Sequence, residues 1–235
     1  MTIKIDRDSY DAITFDCYGT LIDWESGLTG YIKPLLEAHD AHAVDSFLLE
    51  FFGDTEARLQ VGPYRPYRQI LEGVLAALGE RLGFRPSADA LAGFPDSIGD
   101  WLPFADTVAS LKALAPRFQL VVVSNIDDDL FDLTQARLGI NFDHVITAAQ
   151  VGAYKPDPRM FATAIERIGV PKNRILHVAQ SLYHDIAPAN ALGIDTVWID
   201  RHDGRGGGAT APAQATPTWT LRNLRELVDA LQPGA

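Results

Sequence analysis

The chain is poor in cysteine, with Cys17 the only one in 235 residues. A lone cysteine excludes an internal disulfide. Positive charge is also scarce: 20 lysines and arginines stand against 31 aspartates and glutamates, for a net charge of -11. That balance argues against a general affinity for nucleic acid or an anionic membrane, since both need a basic surface. An anionic substrate remains compatible, because a few local cations outweigh a global sign. No apolar run approaches the roughly 20 residues of a membrane span. The first residues, Met1 to Asp8, are charged and no long apolar run follows them, so no signal peptide is visible. The expectation is a cytoplasmic protein with no nucleic-acid and no membrane partner.

At 47% hydrophobic and 22% charged residues, the composition is that of an ordinary globular protein with ample core material. The length fits one large domain, or a core carrying a smaller insertion. The chain is organised around residues 11–23. Ala12 to Phe15 is a short β-prone run, read as a buried strand that delivers Asp16 to its carboxyl end. Gly19 and Thr20 then force a tight turn. From Trp24 to about Ile98 clear strands are missing, and apolar residues recur at helical spacing: Leu28, Ile32, Leu35 and Leu36; Phe47, Leu48, Phe51 and Phe52; Ile70, Val74, Leu75 and Leu78. The stretch 62–67, Gly-Pro-Tyr-Arg-Pro-Tyr, breaks this block.

After Trp101 helices and strands alternate. Helices are expected at 106–114, 130–138, 159–168 and 186–192, and strands at 119–123, around 144–146, at 175–178 and at 196–199. This alternation implies βαβ units and a parallel sheet. Residues 1–23 and 99–235 are therefore expected to form an α/β, Rossmann-like core, with 24–98 a helical cap inserted after the first strand. Residues 201–218, rich in Gly, Ala, Thr and Pro, are expected to be a mobile loop, followed by a last helix at about 221–231.

Four polar groups fall at strand ends: Asp16 with Thr20; Ser124-Asn125 after an apolar run; Lys155 in Gly152-Ala153-Tyr154-Lys155-Pro156; and Gln180-Ser181-Leu182-Tyr183-His184-Asp185. Each alone has a plain reading as turn chemistry, a solvated lysine or a helix cap. Together they put a nucleophile, a hydroxyl and amide pair, a cation and a second carboxylate on the edge where open α/β sheets bind ligands. Cys17 neighbours Asp16, but strand alternation turns it to the other face, as a small buried residue.

These four motifs, in this order and around a helical insert, resemble the haloacid dehalogenase superfamily over essentially the whole chain. The resemblance implies Asp16 as nucleophile, Thr20 and Ser124 as its positioning groups, Lys155 as the balancing cation, and Asp185 as part of the same cluster. The superfamily's phosphatases carry an aspartate two positions after the nucleophile, which protonates the leaving alkoxide. Here that position is Tyr18. A phenol, with a pKa of about 10, is a poor proton shuttle at neutral pH, and a departing halide needs no proton. The phrase Phe15-Asp16-Cys17-Tyr18-Gly19-Thr20 is similar to the 2-haloacid dehalogenase branch.

The implied reaction releases halide from a small 2-haloalkanoate through an aspartyl ester. The alternatives are a Mg²⁺-dependent phosphatase acting on a small phosphorylated metabolite, or a related carboxylate hydrolase of unknown substrate; no cofactor is expected, and Mg²⁺ enters only under the phosphatase. A third alternative, a non-catalytic binding protein, is disfavoured by the competent side chains at all four motifs. The substrate contacts expected are Cys17, Tyr18, Asn125, Ser181, His184 and, as halide receiver, Arg65, with Arg58 and Arg68 as neighbours. The branch pattern is broken at Gln180 and Leu182, where Ser and Asn are usual, and at Phe161, where Tyr is usual. Phe47, Phe51 and Phe52 are candidates for a homodimer contact.

Overall fold

The first strand, β1 (Ala12–Phe15), is buried on both faces, as expected of a β-prone run in a sheet covered from both sides. A computed structural model describes residues 3–202 and 214–232. Around β1 it arranges β2 (Gln119–Ser124), β3 (His144–Thr147), β4 (Ile175–Ala179), β5 (Asp195–Ile199) and β6 (Trp219–Leu221). All pairings are parallel and the order is β3-β2-β1-β4-β5-β6. Phe15 is in register with Val122 of β2 and with Val178 of β4, so three strands finish close together. The order of winding reverses between β1 and β4, which is where doubly wound sheets bind ligands.

Alternation along the strands divides the core into two layers. Ile13, Phe15, Leu120, Val122, Leu176 and Val178 belong to one. Ala12, Val121, Val123 and Ile175 belong to the other, under Met160, Phe161 and Ala164 of α8 (Pro158–Ile168). Four helices, α1 (Trp24–Glu37), α2 (Asp45–Gln60), α3 (Tyr67–Leu82) and α4 (Ala88–Asp96), fall between β1 and α5 (Thr107–Leu114). Their apolar stripes are buried as the spacing predicts, at Leu28, Ile32, Leu36, Leu48, Phe52, Ile70, Val74, Leu75 and Leu78. Leu35, Phe47 and Phe51 are partly buried against the same core. The remaining helices are α6 (Asp128–Leu138), the short α7 (Ala148–Val151), α9 (Ala187–Ala191) and α10 (Leu224–Ala230).

Three expectations need correction. The helix expected at 186–192 opens as a π turn over Leu182–Ile186, closed by Ile186 N–H donating to Ser181 O, before α9 begins. Such wide turns cluster at functional sites. Strand β6 was not foreseen, because three residues after a loop-like stretch carry almost no periodic signal. Its register depends on distant partners, and Thr196 and Thr218 exchange hydrogen bonds beside it. The last helix therefore starts at Leu224, with Asn223 as its cap. Of the expected loop 201–218, residues 203–213 lie outside the described residues.

The break at 62–67 is where the helical segment meets the sheet edge. Pro66 precedes α3 and supplies no side-chain cap. Asp127, ahead of α6, does so from across the fold: its carboxylate accepts from Tyr67 N at 2.9 Å, Arg68 N at 2.9 Å and Tyr64 Oη at 3.0 Å. A carboxylate on exposed helix N–H groups also complements the helix dipole. Asp127→Ala should therefore lower stability by about 2 kcal/mol, read as a reduced urea midpoint with an unchanged slope.

Candidate active site

Asp16 follows β1 directly, and its N–H donates to Val178 O at 3.1 Å, which locks it to β4. The chain must then leave the sheet at once. Gly19 has φ +93°, and a Cβ there would crowd Gln180 and Trp24 at 3.3 Å, so glycine serves both the turn and the close approach. The turn returns Thr20 beneath Asp16. Thr20 Oγ1 donates to Asp16 Oδ2 at 2.7 Å and accepts from Gln180 N at 2.9 Å.

Lys155 reaches Asp16 from the other direction. Its ammonium donates to Asp16 Oδ1 at 2.9 Å, Asp185 Oδ1 at 2.7 Å and Val123 O at 2.8 Å, so all three N–H groups are used. Asn125 holds the Lys155 backbone on both sides, accepting from Lys155 N at 2.6 Å and donating to Lys155 O at 3.2 Å. Asp185 Oδ1 also meets His177 Nε2 at 3.1 Å. His177 Nδ1 in turn meets Thr14 Oγ1 at 2.8 Å.

Burial pushes the Asp16 carboxyl up from its ordinary value, against the pull of Lys155. Burial acts the same way on Asp185, but there Lys155 and His177 outweigh it and the carboxyl is held low. Burial disfavours the Lys155 ammonium, yet the two carboxylates outweigh it and raise its pKa. Burial also pushes the His184 imidazole down to about 4, so it is neutral at pH 7.

These groups line a cavity of about 90 Å³. Asp16, Tyr18, Ser124, Asn125, Lys155, Ser181, His184 and Asp185 are brought together there, along with Gln180. Ser124 Oγ and Asp185 Oδ2 are buried with no hydrogen-bond partner among the described residues, so both keep capacity for a bound molecule. The Tyr18 hydroxyl is engaged with Thr134 Oγ1 at 2.7 Å, and burial pushes its phenol well above the usual value.

Two expected contacts are not at the cavity. Cys17 is fully buried in the apolar core, where burial pushes its thiol up. Arg65 is exposed, and only its carbonyl is engaged, accepting from Tyr154 Oη at 2.7 Å. Its neighbours Tyr64 and Tyr67 turn to Asp127 instead. Arg58 hydrogen-bonds Thr55, and Arg68 bridges Asp96 and Asp129, so neither fills the role.

The helical segment contributes Trp24, Glu56, Tyr67 and Ile98 instead, beside Trp101. Glu56 is the unforeseen one. It stands four residues after Phe52 on the same helical face, so a carboxyl interrupting an apolar stripe was the available signal. His177 was legible only as a lone histidine inside an apolar strand. Phe161 is buried with its ring edge-on to His177 at 4.9 Å, and it does not line the cavity.

Against this geometry, comparison with known proteins is direct. The family described as haloacid dehalogenase-like hydrolase matches residues 10–193. The chain belongs to that family. An (S)-2-haloacid dehalogenase of Pseudomonas sp. (strain YL) is 26% identical over 231 residues, spanning 97% of each chain. A pyrimidine 5'-nucleotidase of Escherichia coli (strain K12) is 27% identical, spanning 94% of this chain and 98% of its own. The solved structure of an L-2-haloacid dehalogenase from Xanthobacter autotrophicus superposes with a TM-score of 0.80 at 20% identity, covering 94% of this chain and 97% of the other. That likeness shows the fold: an α/β, Rossmann-like parallel sheet of the haloacid dehalogenase type. Among the described residues no helix is long and apolar enough to cross a membrane.

Two outcomes test this site. Lys155→Met should leave two buried carboxylates without a cation and cost about 3 to 5 kcal/mol at pH 7. The loss should shrink in acid, as one carboxylate takes up a proton; calorimetric unfolding across pH reads both. For Glu56, burial raises the carboxyl from the ordinary 4.5 to about 7. The folded state therefore binds this proton more tightly than the unfolded chain, and the linked stability is full below about 4.5 and is lost as pH rises towards 7. Glu56→Gln should flatten that part of the stability curve.

Proposed function

We propose that this hydrolase cleaves carbon–halogen bonds in small (S)-2-haloalkanoic acids through an aspartyl ester on Asp16. Tyr18 carries the reading. The residue two places after the nucleophile holds no carboxylic acid, and its phenol is engaged with Thr134. An alkoxide leaving group is a strong base and needs a proton there. A halide is a weak base and does not. The dehalogenase relative spans nearly all of both chains and supports the same reading.

In the first step an Asp16 carboxylate oxygen attacks the α-carbon. A C–O bond forms, the C–X bond breaks with inversion, and the electron pair leaves with the halide. Lys155 balances charge as anionic nucleophile and anionic substrate meet. Ser124 Oγ, buried and unpartnered, is a donor for the substrate carboxylate. In the second step water adds to the carboxyl carbon of Asp16. Asp185 Oδ2, also unpartnered, accepts its proton. The acyl C–O bond then breaks, releasing the 2-hydroxy acid, whose alkoxide takes that proton, and Asp16 returns to its carboxylate by giving up the water's second proton to solvent. Thr20, through Asp16 Oδ2, and Asn125, through the Lys155 backbone, hold the reacting groups in place. His184 and Ser181 form the neutral wall beside Asp185. We read residues 24–98 as the cap that closes this site over a core of 1–23 and 99–235.

The second reading is a Mg²⁺-dependent phosphatase, favoured by the nucleotidase relative. The donor set fits it poorly, since Asp16 and Asp185, the two carboxylates available for a metal, already share Lys155. No step is routed through a metal.

Halide release from (S)-2-chloropropionate should be indifferent to EDTA, and Asp16→Asn should abolish it. Single turnover in ¹⁸O-water should place the label first in Asp16. Magnesium-dependent phosphate release from a generic phosphatase substrate, with no halide released, would establish the second reading instead.

A further inference from the structure

Among the described residues Lys155 is the only cation on the cavity wall, and its three N–H groups are spent on Asp16, Asp185 and Val123 O. No arginine of the helical segment lines the cavity. A departing halide must therefore be received by a neutral donor. In a displacement with inversion it leaves on the side opposite Asp16, towards α2, α3 and Trp101. Trp101 Nε1 is buried and without a hydrogen-bond partner among the described residues, a fixed neutral donor on that wall. Trp24 Nε1 stands over Gly19, on the sheet side. Glu56 and Tyr67 stand on the same wall, with the Tyr67 hydroxyl donating to Glu56 Oε1 at 2.6 Å.

This pairing leaves the second oxygen of the Glu56 carboxyl for the cavity. An ionised Glu56 would repel both the substrate carboxylate and the halide. A protonated one presents an O–H donor. We propose that Glu56, as its neutral acid, is the group that hydrogen-bonds the departing halide, in place of a cation. The inference rests on the dehalogenase reading and adds a catalytic residue to it. As the C–X bond breaks and its electron pair leaves with X⁻, the Glu56 O–H strengthens its hydrogen bond to X⁻, and the proton stays on Glu56. Burial raises the carboxyl to about 7, so the acid form is available at and below neutral pH. The titratable groups around it are Tyr67 by direct contact, Tyr154 packed against Tyr67 and, on the cavity wall, Asp16, Tyr18, Lys155, His184 and Asp185.

The test is a leaving-group series. Halide release from (S)-2-chloro-, 2-bromo- and 2-iodopropionate is measured for the wild type, Glu56→Gln and Glu56→Leu. Chloride gains most from a donor and iodide least. Glu56→Leu should lose on the order of tenfold to a hundredfold in kcat/KM on the chloride substrate, the scale of a hydrogen bond to a charged group, and progressively less on bromide and iodide. Glu56→Gln keeps a donor and should retain most activity on all three, while losing the fall in rate as pH rises through about 7. If Glu56→Leu fails to fold, the Gln pH profile alone decides. An equal loss on all three halides, or an unchanged Gln pH profile, would reduce Glu56 to a shaping residue and overturn the proposal. No halide release by the wild type would instead sink the dehalogenase reading beneath it.

Discussion

One ammonium between two buried carboxylates organises this molecule's chemistry. Lys155, Asp16 and Asp185 are almost wholly removed from water, and each would be costly there alone. Together they neutralise most of one another's charge, and the Val123 carbonyl takes the third lysine N–H. The requirement that they meet explains several local features: the turn with positive φ at Gly19, the Asn125 clamp on the Lys155 backbone, and the π turn that carries Asp185 inward.

The same cluster constrains the reaction. A cation already saturated by carboxylates is an electrostatic counterweight and has no N–H left for a leaving group. On the proposed dehalogenase reading, binding and leaving-group stabilisation then come from neutral donors in the cavity: Ser124, Ser181 ahead of the π turn, His184 within it, and the wall supplied by α2 and α3. A small cavity with one net negative charge suits a compact substrate held by hydrogen bonds. It also makes the protonation state of Glu56 consequential, because one more negative charge there would oppose an anionic substrate directly.

Much of this was legible in the chain. The run Ala12 to Phe15 is a strand with the bounds expected from its composition, and the apolar stripes of α1, α2 and α3 are buried at the expected positions. Asp16, Ser124, Lys155 and Asp185 were legible as a site because each follows a strand or opens a helix in a repeating βα pattern. The misses share a cause. Strand β6 and the π turn have no periodicity of their own and exist through hydrogen bonds to residues far along the chain. Arg65 was chosen for its charge, but its side chain is exposed while its neighbours Tyr64 and Tyr67 face Asp127. Glu56 was passed over because carboxylates on helices are ordinarily solvated.

Sequence alone determined the fold class and the four groups on the carboxyl edge, since these follow from local patterning and spacing, and the motifs' resemblance to known proteins pointed to the family. Tyr18 in place of an acid was equally plain, and it separates the two chemistries of this family. Only the tertiary structure decided how those groups are partnered. It spent every Lys155 N–H, left Ser124 Oγ and Asp185 Oδ2 unpaired, removed Arg65 from the cavity and brought Glu56 to it. The physical reason is that hydrogen bonding and desolvation depend on distances between residues far apart in the chain, and linear spacing does not encode those distances.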